Sequence, residues 1–294
     1  MFVCDSAVSV VKIDMSKIKI TNSIVSVQWL KENFSAENLI ILDASMKPVT
    51  NVGDAIAETY IPNSLRFDFD NDIKDMNTSL PHMMPTPEFF QDEVQKLGIN
   101  QDSAIVVYDN VNIYASPRAW WMFRAMGHEN VAVLDGGLPA WISAGYETAS
   151  TLKGKPDSRG NFLANPQPDS FIDSSYVLKA IHNPQLTIFD ARAEGRFKGV
   201  DPEPRPNMKR GHIPNSVNIP FASVLDNGKM KSKSDLQNIF EKHKNNKMVF
   251  YCGTGVTACI LTLAADQAGY KNFSVYDGSW AEWGMEKENY PIEK

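Results

Sequence analysis

Two textures of apolar residues alternate along the chain. Short continuous apolar runs, bounded by turn-forming residues, lie at Leu39–Asp43, Ala104–Tyr108 and Val131–Leu134, and again at Thr187–Asp190, Lys247–Tyr251 and Phe273–Tyr276. Runs of this kind are expected of strands covered on both faces, as in a parallel sheet. Between them the apolar positions recur at i, i+3, i+4 and i+7. That spacing predicts helices over Phe89–Leu97 and Pro117–Met126 in the first half, and near Ser174–His182, Ser234–Lys244 and Thr257–Ala268 in the second. Pro117 falls in the first turn of its helix, where a missing N–H is tolerated. Strands alternating with helices indicate an α/β layer architecture with a parallel sheet.

The pattern occurs twice. Ile41-Leu42-Asp43-Ala44 is answered by Ile188-Phe189-Asp190-Ala191, and Ile61-Pro62-Asn63-Ser64 returns unchanged as Ile213-Pro214-Asn215-Ser216. Val107-Tyr108 corresponds to Phe250-Tyr251, Asp135-Gly136 to Asp277-Gly278, and Trp141 to Trp283. One such block could arise by chance; five in the same order mean two copies of one domain. The boundaries are expected at 22–150 and 169–294. Residues 151–168, rich in Lys, Gly, Pro, Asp and Asn, read as a surface linker.

Composition adds limits. At 294 residues the length suits two domains, and 43% apolar with 22% charged residues is ordinary for a soluble globular protein. No run approaches a membrane span. A net charge of −6 argues against a nucleic-acid partner, which calls for a basic footprint. Three cysteines in so long a chain are no disulfide framework, and point to a reducing compartment in which a thiolate stays free. The first two dozen residues read as an irregular extension. Asp5 and Asp14 and the lack of a leading cationic segment count against a transit peptide, so the expected location is cytoplasmic, with the mitochondrion as the alternative.

The chemistry concentrates in Tyr251-Cys252-Gly253-Thr254-Gly255-Val256-Thr257-Ala258. A cysteine ending a strand, followed by Gly-x-Gly and the start of a helix, sits in a tight loop whose N–H groups converge on its centre. Such a cradle favours a thiolate, or an anion carried on the sulfur. Thr254 and Thr257 could each donate to the sulfur, although Thr257 also suits the helix N-cap. Cys259, inside the helical pattern, reads as a small core residue. The equivalent position in the first copy is Asp109, without the glycines, so only the second copy can carry thiolate chemistry. A second signal is the stretch 196–212, where Arg196, Lys198, Arg205, Lys209 and Arg210 outnumber Asp201 and Glu203 and three prolines prevent a helix. It follows the strand ending at Asp190 and can lie beside the cysteine loop, where arginine forks would suit a carboxylate substrate. His212, Trp280 and Trp283 read mainly as structural.

These residues resemble the rhodanese superfamily, most closely its mercaptopyruvate-using sulfurtransferases. The Cys252–Ala258 loop is similar to the Cys-Gly-Ser-Gly-Val-Thr-Ala of that group. Thiosulfate-using members carry basic residues after the cysteine, where Gly253 and Thr254 stand here. Asp190-Ala191-Arg192, Pro202-Glu203-Pro204-Arg205, Gly211-His212-Ile213-Pro214, Asp277-Gly278-Ser279-Trp280, His82-Met83-Met84-Pro85 and Ser116-Pro117-Arg118-Ala119-Trp120-Trp121 also match, so the resemblance spans roughly residues 22–290. It implies two tandem rhodanese-like domains, each a mostly parallel sheet flanked by helices. It further implies sulfur transfer from 3-mercaptopyruvate through a Cys252 persulfide to a low-molecular-weight thiol, thioredoxin or cyanide, without metal or organic cofactor and with release of pyruvate. Arg196 and Arg205 would then bind the substrate, Thr254 would assist, and the backbone of Gly253, Gly255, Val256 and Thr257 would hold the persulfide. A thiosulfate:cyanide transferase and a non-enzymatic sulfur carrier remain alternatives. A phosphatase of related fold would need an arginine where Ala258 stands. One departure stands out: the histidine of a first-copy Gly-His-Ile-Pro, taken as part of a relay to the loop hydroxyl, is Tyr60 here.

Overall fold

The computed structural model describes residues 16–48 and 55–294. It contains two parallel five-stranded sheets of the same topology. In the first, the order across the sheet is Ile24–Val25, Val131–Leu134, Ala104–Tyr108, Leu39–Asp43, Leu65–Arg66; in the second it is Phe171–Ile172, Phe273–Tyr276, Lys247–Tyr251, Leu186–Asp190, Val217–Asn218. The central strand of each sheet, Ala104–Tyr108 or Lys247–Tyr251, is flanked by parallel neighbours and carries five apolar or aromatic residues or a lysine at its open end. The six apolar runs are the strands, five of them with the bounds read from the sequence and the fourth one residue longer. The two-residue edge strands went unread because so short a segment has no periodicity of its own.

The predicted helices form at Pro87–Lys96, Ser116–Ala125, Ser174–Ala180, Lys233–Phe240 and Ala258–Ala268. Thr86 caps the first of these by accepting from the N–H of Phe89 at 3.3 Å, with Pro87 at the first helical position. The repeat is reproduced in atomic detail. The hydroxyl of Tyr108 accepts from Ile61 N, and that of Tyr251 accepts from Ile213 N, both at 3.2 Å.

The two halves share a core. Helix Ser116–Ala125 packs against helix Ala258–Ala268, and one apolar cluster runs from Phe90 and Trp120 through Phe189, Val256 and Ile260. Trp121 lies 5.4 Å from Phe273, ring centre to ring centre, and donates to Ser170 O at 3.2 Å. The site between the halves is therefore set by packing rather than by the linker.

Residues 151–168 run over the surface and are strapped down. Phe162 is fully buried against Phe90 and Phe123, and Asn165 N and Gln167 N donate to the carbonyls of Met126 and Ala125. The expected N-terminal extension falls partly, through residue 15, outside the described residues. From Ser16 to Asn22 it is irregular, yet fastened: Ile18 N and Ile20 N donate to the side chains of Asn38 and Asn130, and Ile20 is buried. Ile24–Val25 then joins the first sheet.

Candidate active site

Cys252 directly follows the central strand of the second sheet and is 1% exposed. Its N–H donates to Ser279 Oγ at 3.2 Å, and its carbonyl accepts from Trp280 N at 2.9 Å, which locks the cysteine to the start of the helix Ser279–Trp283. The loop that follows needs its glycines. Gly255 has φ +76°, and a Cβ there would come within 3.0 Å of both Arg118 Nη1 and the Asp277 carbonyl. A Cβ on Gly253 would lie 3.3 Å from Arg196 Nη2. The N–H groups of Gly253, Thr254, Gly255, Val256 and Thr257 have no oxygen or nitrogen acceptor among the described residues. Thr257 stands at the N-cap of helix Ala258–Ala268, but its hydroxyl makes no capping bond. The loop is thus a ring of unused donors.

The first copy shows what such a ring binds. Asp109 occupies the place of Cys252, and its Oδ2 accepts from the N–H groups of Tyr114, Ala115 and Ser116 at 2.9–3.0 Å and from Ser116 Oγ at 2.7 Å. Its Oδ1 takes Val111 N. The first-copy cradle is filled by its own carboxylate and has no room for a ligand.

A cavity of about 230 Å³ opens over Cys252. The second half contributes Arg192, Arg196, Arg205, Gly253, Thr254, Val256 and Thr257, and the first half contributes Met46, His82 and Tyr114. Gly255, expected to touch the ligand, is not in the wall; it turns the loop beneath it. The basic stretch lies beside the cysteine loop as expected, but its charges are unequal. Arg192 is buried and held by both oxygens of Asp190, by Gly211 O and by Glu203. Arg196 gives two donors to the other oxygen of Glu203, at 2.5 and 3.2 Å. Arg205, half-buried in the cavity wall, has no hydrogen bond or ion pair among the described residues. Its charge is the one not already spoken for.

The histidine expectation requires correction. Tyr60 does not face Thr254. It pairs through its backbone with Ala149 and lines a different cavity, with Asp43, Arg66 and Asn71. The histidine in the Cys252 cavity is His82, which is 3% exposed. Its Nε2 meets Asp70 Oδ1 at 2.8 Å, so Nε2 carries the proton and Nδ1 is left as an acceptor. Nδ1 is buried with no partner among the described residues. Burial, reinforced by the charges of Arg118 and Arg205, pulls the imidazole below its usual value against the opposing effect of Asp70. At neutral pH it is a neutral ring with a free lone pair. His82 lies far from Cys252 in the chain and in the other domain, so no local spacing could pick it out.

The remaining candidates fall into place. Cys259 donates through Sγ to Gly255 O at 3.2 Å, and burial pushes its thiol up to about 12, which keeps it protonated. His212 stacks on Phe197 with ring centres 3.7 Å apart and bonds Phe197 O through Nδ1. Trp280 and Trp283 are fully buried in the second-domain core, and Trp280 backs the Arg192 guanidinium at 4.1 Å. Among the described residues there is no group of three or more metal-ligating side chains, and no helix long and apolar enough to cross a membrane.

The comparisons agree with this architecture. The model of the rhodanese-like domain matches twice, at residues 26–144 and 173–286. The 3-mercaptopyruvate sulfurtransferase of Rattus norvegicus is 37% identical over 284 residues, covering 92% of this chain and 95% of the relative. The mitochondrial thiosulfate/3-mercaptopyruvate sulfurtransferase 1 of Arabidopsis thaliana is 36% identical over 304 residues, covering 95% and 80%. The crystal structure of SseA from Escherichia coli, a 3-mercaptopyruvate sulfotransferase with the rhodanese fold, superposes with a TM-score of 0.77 at 33% identity, covering 89% of this chain and 100% of that one. With two copies of the domain, one cradle closed by Asp109 and the other open around Cys252, the chain belongs to the rhodanese-like family.

Proposed function

We propose that the chain is a sulfurtransferase that takes sulfur from 3-mercaptopyruvate onto Cys252. The carrying observation is the cysteine at the floor of an open ring of N–H donors, in a cavity whose only unpaired cation among the described residues is Arg205. The Cys252 thiolate attacks the sulfur of the donor. The sulfur–sulfur bond forms, the donor's carbon–sulfur bond breaks, and its electrons leave on carbon as the enolate of pyruvate, which takes up a proton. The product is a cysteine persulfide, held by the backbone of Gly253, Val256 and Thr257, with Gly255 turning the loop beneath them. Arg205 and Arg196 hold the carboxylate and carbonyl of the substrate. Thr254, 6% exposed in the same cavity, supplies a hydroxyl, and the lone pair of His82 Nδ1 is suited to receive or return its proton. A low-molecular-weight thiol, thioredoxin or cyanide then accepts the sulfur. The names of the sulfurtransferase relatives support this donor, and so does a loop without cations, which suits a carboxylate-bearing thiol better than the thiosulfate dianion.

The test is mass spectrometry after incubation with mercaptopyruvate, with pyruvate measured in parallel. One added sulfur on the peptide containing Cys252, with pyruvate released, is the expected outcome. No adduct and no pyruvate would remove the assignment. Faster turnover with thiosulfate would shift the donor.

A further inference from the structure

Arg118 is fully buried in helix Ser116–Ala125 of the first domain, and its guanidinium is shared between the two domains. Nη1 donates to Asp277 Oδ1 at 2.7 Å and reaches Gly255 O at 3.5 Å, and Nη2 donates to the carbonyl of His82. The other oxygen of Asp277 accepts from Met84 N at 2.6 Å. The guanidinium also lies over the Phe171 ring at 4.5 Å. One ion pair therefore ties three segments at a single buried point: the His82–Met84 turn of the first domain, the cysteine loop, and the end of strand Phe273–Tyr276. We propose that Arg118 and Asp277 form a positioning pair that sets the cysteine loop and His82 in register across the domain interface.

The physical reason lies in one peptide group. The Gly255 carbonyl is drawn to the buried side by Arg118 and by Cys259 Sγ. In a trans peptide the following N–H points the opposite way. Val256, which carries that N–H, is in the cavity wall and the group has no acceptor. Pinning the carbonyl behind the loop thus aims a donor in front of it. The same guanidinium holds the backbone of His82, at φ +62° a conformation that a non-glycine residue adopts only when held. A buried ion pair brings little net stability against apolar replacements. What it supplies here is geometry, with a fork that a lysine cannot reproduce.

This inference rests on the sulfurtransferase reading, and the experiment separates the two. Wild type, Arg118→Lys, Asp277→Asn and the double variant are compared for pyruvate release from mercaptopyruvate and for the rate of Cys252 alkylation by iodoacetamide. All values are normalised to the folded fraction from circular dichroism. A misaimed loop costs on the order of 10²-fold in kcat. KM stays within about threefold, since Arg196 and Arg205 are untouched, and the double variant is no worse than either single one, because both changes break one unit. Alkylation slows with kcat. If wild type itself releases no pyruvate, the sulfurtransferase reading fails and this proposal with it. If wild type turns over and either folded single variant keeps kcat within threefold, the positioning role is wrong. Should Arg118→Lys not fold, the near-isosteric Asp277→Asn decides alone.

Discussion

Asp109 and Cys252 occupy the same place in the two halves, and the loop N–H groups that close on the Asp109 carboxylate are left open around Cys252. The repeat has kept the anion-binding geometry in both copies. One copy satisfies it internally; the other leaves its donors open around the sulfur.

Asp109→Ala is expected to behave as a stability mutation only. It orphans several buried donors, each costing about 1–3 kcal/mol, so the loss should reach several kcal/mol. Urea denaturation measures it, and the folded fraction should still form the Cys252 persulfide.

The two described cysteines should separate cleanly. Cys252→Ser abolishes pyruvate release. Cys259→Ala leaves turnover within a few-fold of wild type, because a thiol held near a pKa of about 12 supplies almost no thiolate at neutral pH. Steady-state assays of both variants check this. Loss of activity in folded Cys259→Ala would assign Cys259 either to the chemistry or to holding the Gly255 carbonyl, and slowed alkylation of Cys252 would mark the second.

The pH profile of kcat/KM should carry an acid limb set by His82. Its folded value is depressed, so the ring stays neutral and able to accept a proton until the pH falls below the usual histidine range, where protonation removes the lone pair. His82→Gln should lower kcat by about 10²-fold and remove that limb. Tyr60→Phe should leave both unchanged. The same depression has a stability sign. As the pH falls through the unfolded histidine value toward the folded one, the unfolded chain binds the extra proton, so stability declines in that window and not above it.

Arg205→Met is expected to raise KM for mercaptopyruvate by about ten- to a hundredfold, the equivalent of one lost charged hydrogen bond. Arg196→Met should raise KM as well and also lower the melting temperature, because it leaves the nearly buried Glu203 carboxylate with Arg192 as its remaining partner. Equal melting temperatures for the two variants would contradict the pairing.

The sequence by itself determined the layers, the repeat and the cysteine loop. Strands such as Ala104–Tyr108, and Lys247–Tyr251 after its first residue, are buried, so composition and length mark them without ambiguity. The cysteine loop is a local motif whose Gly-x-Gly and helix start are contiguous, so its geometry is written in adjacent residues. Only the tertiary structure decided which half supplies what. His82, Asp70, Arg118 and Asp277 are scattered over more than two hundred positions and meet because two sheets pack through a common core. The nearest match by motif, Tyr60, lines a different cavity from Cys252, since position in a repeat does not say which way the paired domain faces. The formal excess of positive charge in 196–212 likewise concealed that Glu203 satisfies two arginines and leaves Arg205 free. Pairing of charges is a matter of a few ångströms in space, which spacing along the chain does not encode.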